Sequence, residues 1–293
     1  MKNGLLPTFY NKDNFSVLKD DMVNFIQENI QQTKNGKLVS RKKIEKLNLI
    51  YYLNLCILAR HRYKGNMNRE SIQKDKNSTY HPYYFLFKTD EELVIVFSGS
   101  SEKNDFLLDM KHVKQLLNNI LLTHINIVSK ILFHYKLIKQ IQKYKGKKVT
   151  IVGHSLGAII ASYLLLILNL TDKKFYQVDD IQFKLYVFEC PVCLPVQLQK
   201  YIVKDTIAVV NEMDPVVCFR GLNITPLFTV GGDKIYNFVK DTNGTVKCYQ
   251  RDIRYFMNSG FFFGRQKLSV HRCPMVKKNI LQFLEGNKKK KEV

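Results

Sequence analysis

Runs of β-branched and aromatic residues alternate along this chain with stretches whose apolar positions recur at helical spacing. Residues 93–97, 149–152, 183–188 and 206–210 are apolar almost throughout. That is the pattern of strands buried on both faces of a parallel sheet, rather than the in-and-out alternation of a half-exposed one. Helical spacing shows in Phe15, Leu18, Met22, Phe25, Ile26 and Ile30, and again in Ile44, Leu47, Tyr51, Leu55 and Leu58. Residues 158–170 form the longest apolar run, yet they contain Ser162, Tyr163 and Asn169 and fall short of the roughly 20 residues a bilayer needs. A buried helix is expected there. The polar stretches 31–43 and 64–79 read as loops, and no internal repeat is visible. Strands alternating with helical segments predict βα units in one α/β domain over residues 1–286, with a helical extension over about residues 1–62 and a basic tail at 287–293.

One junction between a strand and a helix carries chemistry. Gly153-His154-Ser155-Leu156-Gly157 follows the run 149–152 and leads directly into the apolar helix, which is the setting of a nucleophile elbow. A serine held on such a turn projects its hydroxyl outward. Strand and helix then approach too closely for side chains at Gly153 and Gly157, and Ala158 and Ala161 extend the low-bulk face. The Leu156 amide lies in the first helical turn, where N–H groups without helical partners and the helix dipole favour a developing oxyanion.

A serine hydroxyl needs a histidine base, and the imidazole needs a carboxylate to hold its tautomer. In hydrolases built on an elbow the chain order is serine, acid, histidine. Of the seven histidines only His271 follows Ser155, on a loop before a helix expected to start near Met275. The acid must lie between them, at the carboxyl end of a strand. Asp214 fits best, because Pro215 ends the strand and leaves Asp214 on the rim beside Val216 and Val217. Glu212 is the local competitor and Glu189, after the strand 183–188, the remoter one.

Residues 93–101 with 105–109, the elbow, residues 188–191 and residues 209–215 together resemble the class 3 lipase family, the fungal triacylglycerol lipase type of α/β-hydrolase. The resemblance spans about residues 80–275, and Ser155, Asp214 and His271 fall at intervals comparable to the family's. It implies an α/β-hydrolase fold with a mainly parallel central sheet flanked by helices. It also implies that Ser100 supplies a second oxyanion donor beside Leu156, through its backbone N–H and its hydroxyl. The chain departs from the family at Ser98, where arginine is common, and at Phe106, where tryptophan is; it contains no Trp. The missing arginine removes local ion pairing but no atom of the chemistry, since the donor is a main-chain group.

Composition narrows the partners. Lysine and arginine number 46 against 25 acids, a formal charge of +21, and residues 288–291 are all lysine. A basic surface attracts phosphates, but the chain has no zinc-finger spacing, RNA-binding aromatic signature or heptad-linked basic region, so no nucleic acid is expected. A lipid ester substrate and peripheral contact with an anionic membrane surface are the expected partners, each lysine near such a surface adding about 1 kcal/mol. Residues 1–16 lack the apolar core of a secretory leader, and the six cysteines suggest reduced thiols, so a cytoplasmic location with peripheral membrane contact is expected. Cys190 and Cys193 invite a zinc or redox reading, but no second pair exists and the segment follows a core strand, which favours packing. No metal and no cofactor is required. Residues 106–108 and 261–263 are apolar segments that could cover an acyl-binding site as a lid.

These observations predict a serine hydrolase of lipid carboxylic esters, acylglycerol or phospholipid, working through Ser155, Asp214 and His271 and an acyl-enzyme. Two alternatives remain. One is a non-catalytic lipid-binding or scaffold protein on the same fold, favoured if the three side chains fail to converge. The other is an acyltransferase that uses the same residues.

Overall fold

The computed structural model describes residues 36–63, 78–81, 84–99, 120–134, 136–174, 176–191, 194–211, 214, 217, 227–228, 235–251 and 271–286. In chain order the strands are β1 (Lys37–Leu38), β2 (Ser78–His81), β3 (Tyr84–Lys88), β4 (Glu92–Phe97), β5 (Lys148–His154), β6 (Gln182–Phe188), β7 (Leu194–Pro195), β8 (Thr206–Asn211), β9 (Leu227–Phe228), β10 (Ile235–Lys240) and β11 (Val246–Arg251). The α-helices are α1 (Arg41–Glu45), α2 (Leu49–Tyr63), α3 (Ile120–Ser129), α4 (Leu137–Gln142), α5 (Leu156–Leu170), α6 (Val196–Gln199) and α7 (Cys273–Glu285).

Among the described residues nine strands form one sheet in the order β1-β11-β10-β8-β6-β5-β4-β3-β2. The five central strands, β10, β8, β6, β5 and β4, run parallel, and antiparallel strands extend the sheet at both edges. Side chains of a strand alternate between its two faces, and here both faces are covered. Leu93, Ile95, Val149, Ile151, Leu185 and Val187 enter a core shared with α5, while Val94, Val96, Val152, Tyr186 and Phe188 enter the opposite core with α2 and α7. Burial on both sides is why these strands read as unbroken apolar runs. The result is the three-layer α/β-hydrolase arrangement, with a mostly parallel central sheet between helices.

Several elements differ from their sequence expectation. The apolar stripe from Ile44 to Leu58 is two helices, not one, because Asn48 turns the chain at φ 52 between α1 and α2. The buried residues of α2 are Leu49, Tyr52, Leu53, Leu55, Cys56 and Ala59, so Leu55 of the expected stripe is buried while Tyr51 is exposed. The described part of the stretch expected as a loop at 31–43 contains β1, which pairs with β11, and the start of α1. Ser78 and Thr79 belong to edge strand β2 rather than to a loop. Helix α7 begins at Cys273, two residues before Met275, because Pro274 is well suited to the first helical turn. The apolar run 158–170 lies within α5 and is buried along most of its length. No helix among the described residues is long and apolar enough to cross a membrane. The residues of the N-terminal apolar stripe, of both lid segments and of the lysine tail lie outside the described residues.

Candidate active site

Strand β5 ends at His154 and helix α5 begins at Leu156, so Ser155 makes the whole connection. Its backbone sits at φ 55, ψ −127, a region that side chains rarely occupy and that persists only when surrounding structure enforces it. The enforcement is visible. The Ser155 N–H donates to the Phe188 carbonyl of β6 at 3.0 Å. A Cβ on Gly153 would lie 2.6 Å from Ala158 Cα, and one on Gly157 would lie 2.6 Å from the Phe97 carbonyl carbon. Gly99 is also tight, since a Cβ there would stand 2.8 Å from the His154 carbonyl oxygen. The chain leaving β4 is thus pressed against the elbow. Ser155 occupies the N-cap position of α5 but makes no capping hydrogen bond, and no acidic residue stands in the first turn of that helix. The hydroxyl is therefore not spent on the helix, and the dipole at the Leu156 amide is not neutralised by a carboxylate of the helix's own first turn.

The hydroxyl meets His271 instead. Ser155 Oγ lies 2.7 Å from His271 Nε2, and His271 Nδ1 lies 2.7 Å from Asp214 Oδ2. All three are buried, Asp214 completely. An ionised Asp214 can only accept, so Nδ1 carries the proton and Nε2 is left to accept from the serine hydroxyl. Asp214 follows β8, and His271 lies two residues before α7, so three distant segments converge at the carboxyl ends of the parallel strands.

Two neighbours hold this arrangement in place. His154 is buried, and its Nε2–H donates to the His271 carbonyl at 2.8 Å, with the two rings 5.2 Å apart. Burial, assisted by repulsion from the His271 ring, lowers its pKa to about 3. His154 is therefore a neutral donor throughout the range in which an esterase works. On the other side, Glu189 Oε1 accepts from the Asn211 N–H at 2.8 Å, and Asn211 Oδ1 accepts from Asn279 of α7 at 2.9 Å. This links the ends of β6 and β8 to the helix that follows His271.

The structure brings Ser155, Leu156, Asp214 and His271 to one place; Ser100 and the competitor Glu212 lie outside the described residues. Glu189 also reaches the site. Donor atoms of Glu189, Asp214 and His271 lie within 4.8 Å of one another, the spacing of a metal cluster. Both ring nitrogens of His271 are already engaged, so an ion there would displace one of those hydrogen bonds. Cys190 is buried in the core beneath the sheet, and Cys193 lies outside the described residues. The anchoring role of His154 escapes a sequence reading focused on the base, although its place between Gly153 and Ser155 put it at the elbow. Gly99 carried a signal too, as the glycine ending an apolar strand.

Residues 94–223 match the family model for lipase (class 3). The matched segment contains most of β4, the elbow and Asp214, and His271 lies beyond it. Among curated proteins nothing matches at the level of sequence. Solved structures do. The triacylglyceride lipase of Rhizomucor miehei superposes with a TM-score of 0.57 at 15% identity, over 81% of this chain and 96% of that one. Lipase II from Rhizopus niveus gives 0.51 at 12% identity, over 81% and 96%. A fungal lipase–inhibitor complex, described as a model for interfacial activation in lipases, gives 0.52 at 17%, over 81% and 98%. At these identities the superpositions show the shared fold. The family match over this segment and the shared fold support a carboxylic ester hydrolase of the lipase type.

Proposed function

We propose that this chain hydrolyses the ester bonds of acylglycerols or phospholipids through an acyl-enzyme on Ser155. The observation that carries this reading is the unbroken line from Asp214 Oδ2 through His271 to Ser155 Oγ, with 2.7 Å at each junction. Ser155 attacks the ester carbonyl as His271 Nε2 takes its proton, and Asp214 steadies the imidazolium. The Leu156 N–H, at the start of α5, and the Ser100 N–H are assigned to the oxyanion. His271 then protonates the leaving alcohol, and water repeats the sequence on the acyl group. The basic composition supports contact with anionic lipid, and the buried thiols Cys56, Cys248 and Cys273 suit a reducing compartment such as the cytoplasm.

A fluorophosphonate probe with a panel of triglyceride, diglyceride, phospholipid and short-chain esters tests the proposal. Labelling at Ser155 and turnover of long-chain lipid esters, raised by anionic vesicles, are expected. Absence of labelling would favour a non-catalytic lipid-binding protein. Ester formation with an added alcohol, in excess of hydrolysis, would favour an acyltransferase.

A further inference from the structure

Glu189 follows β6 as Asp214 follows β8, and these strands are adjacent and parallel, with Phe188 in register with Val209. Two strand ends therefore deliver carboxylates to one imidazole. The Glu189 side chain is fully buried, and its backbone is held at φ 50. Glycine occupies that region at no steric cost, whereas a glutamate there is strained. A turn alone has no need of a carboxylate. Nor does the Asn211 N–H, which the neutral amide oxygen of a glutamine would satisfy as well. What the acid adds is a second carboxyl group, with an oxygen within 4.8 Å of both Asp214 and His271. Two carboxylates so close repel when both are ionised, and this repulsion is relieved when the ring beside them becomes an imidazolium.

We propose that Glu189 is a second positioning acid for His271, sharing with Asp214 the work of stabilising the imidazolium and able to replace it when Asp214 is neutralised. In the catalytic step the proton leaves Ser155 Oγ for His271 Nε2, and the resulting positive ring is balanced by the carboxylate pair rather than by Asp214 alone. This rests on the Ser155 and His271 assignment above, which Ser155→Ala tests separately.

The experiment measures kcat and KM on a soluble ester for wild type, Glu189→Gln, Asp214→Asn and the double variant. Glutamine keeps the acceptor for Asn211, so melting temperature should change little. Glu189→Gln alone should lower kcat by roughly 3- to 10-fold with KM unchanged. Asp214→Asn should lose only about 100-fold, against the roughly 10⁴-fold seen where a triad aspartate acts alone. Adding Glu189→Gln to Asp214→Asn should cost a further 100-fold or so, and Glu189→Asp in that background should restore part of it. An equal factor for Glu189→Gln in both backgrounds would overturn the proposal and leave Glu189 a structural residue. So would Asp214→Asn activity at the Ser155→Ala level, a result that decides the matter even if the double variant does not fold. Turnover by Ser155→Ala equal to wild type would instead overturn the underlying assignment.

Discussion

Strand β5 carries an assembly of acid, base and hydroxyl at each of its ends. At its start, Lys148 Nζ lies 2.8 Å from Glu92 Oε1. Tyr52 donates to the same oxygen at 3.2 Å, Thr150 donates to it as well, and Lys148 also donates to the Tyr52 oxygen at 3.2 Å. At its end, Asp214, His271 and Ser155 form a line. The first group is a closed knot in which the donors converge on one carboxylate oxygen. Burial disfavours the charge on Lys148, yet its bonds to Glu92 and Tyr52 leave its pKa raised, and burial raises that of Tyr52 too. Neither can serve as a base near neutral pH. The second group has direction: an acceptor fixes one ring nitrogen, the other ring nitrogen accepts, and the hydroxyl stands on a strained turn with no helical bond to satisfy. The same chemical ingredients give a structural clasp in one place and the setting for a nucleophile in the other. Order, strain and the presence of an imidazole make the difference.

The largest test of that contrast removes one hydroxyl from each end. Ser155→Ala should lower kcat by about 10⁶-fold, the scale of losing a triad nucleophile. Thr150→Ala, at the other end of the strand, should leave kcat within about twofold and cost about 1 kcal/mol of stability for its hydrogen bond. Steady-state kinetics and urea unfolding of the two variants check both halves. A large loss of turnover in Thr150→Ala would mean that the two ends are coupled.

The end with direction was the more legible of the two in the sequence. An apolar run broken by two glycines around Ser155 announces its own geometry, and Asp214 and His271 could be placed by chain order and by Pro215. The clasp was not legible. Glu92, Lys148, Tyr52 and Thr150 come from three elements and have no local signature, because only the register of β4 against β5, Glu92 beside Lys148, brings them together. The same limit hid His154, whose partner is a backbone carbonyl far along the chain, and the pairing of β1 with β11. The face of α2 was misread because Tyr51 and Tyr52 are equally apolar on paper, while packing against the sheet selects Tyr52.

His154 gives the next largest effect. Its N–H holds the His271 carbonyl, so His154→Phe should lower kcat by about 10- to 100-fold, while His154→Gln, which keeps a donor, should retain most activity. The same residue sets an acid limit. Its pKa falls from 6.5 to about 3 on folding, so the folded state favours the neutral ring. That contribution is complete above pH 6.5 and is lost as pH falls towards 3, on the order of 5 kcal/mol in all. Unfolding free energies between pH 7 and 4 should fall less steeply in His154→Gln than in wild type. Parallel slopes would remove His154 from the acid transition.

The clasp makes its own smaller predictions, and they concern stability alone. Glu92→Gln weakens a partly buried pair and should cost about 1 to 3 kcal/mol, with turnover at pH 8 unchanged because the site lies at the opposite end of the strand.

The smallest effect appears in alkali. Tyr52 and Lys148 both have pKa values raised in the folded state, so folding favours the protonated phenol and the ammonium. Their stabilisation is present below the ordinary values near 10 and is lost as pH rises through the raised ones. Melting temperature should therefore decline above pH 10. Glu92→Gln removes the carboxylate that holds the ammonium, and the Lys148 share of the decline goes with it, while the share set by burial of Tyr52 remains. The variant should then be less stable than wild type at pH 8 yet closer to it at pH 11, since wild type loses on deprotonation what the variant already lacks. A constant gap in melting temperature across that range would show that the lysine keeps its proton throughout, and that the clasp gives way through Tyr52 alone.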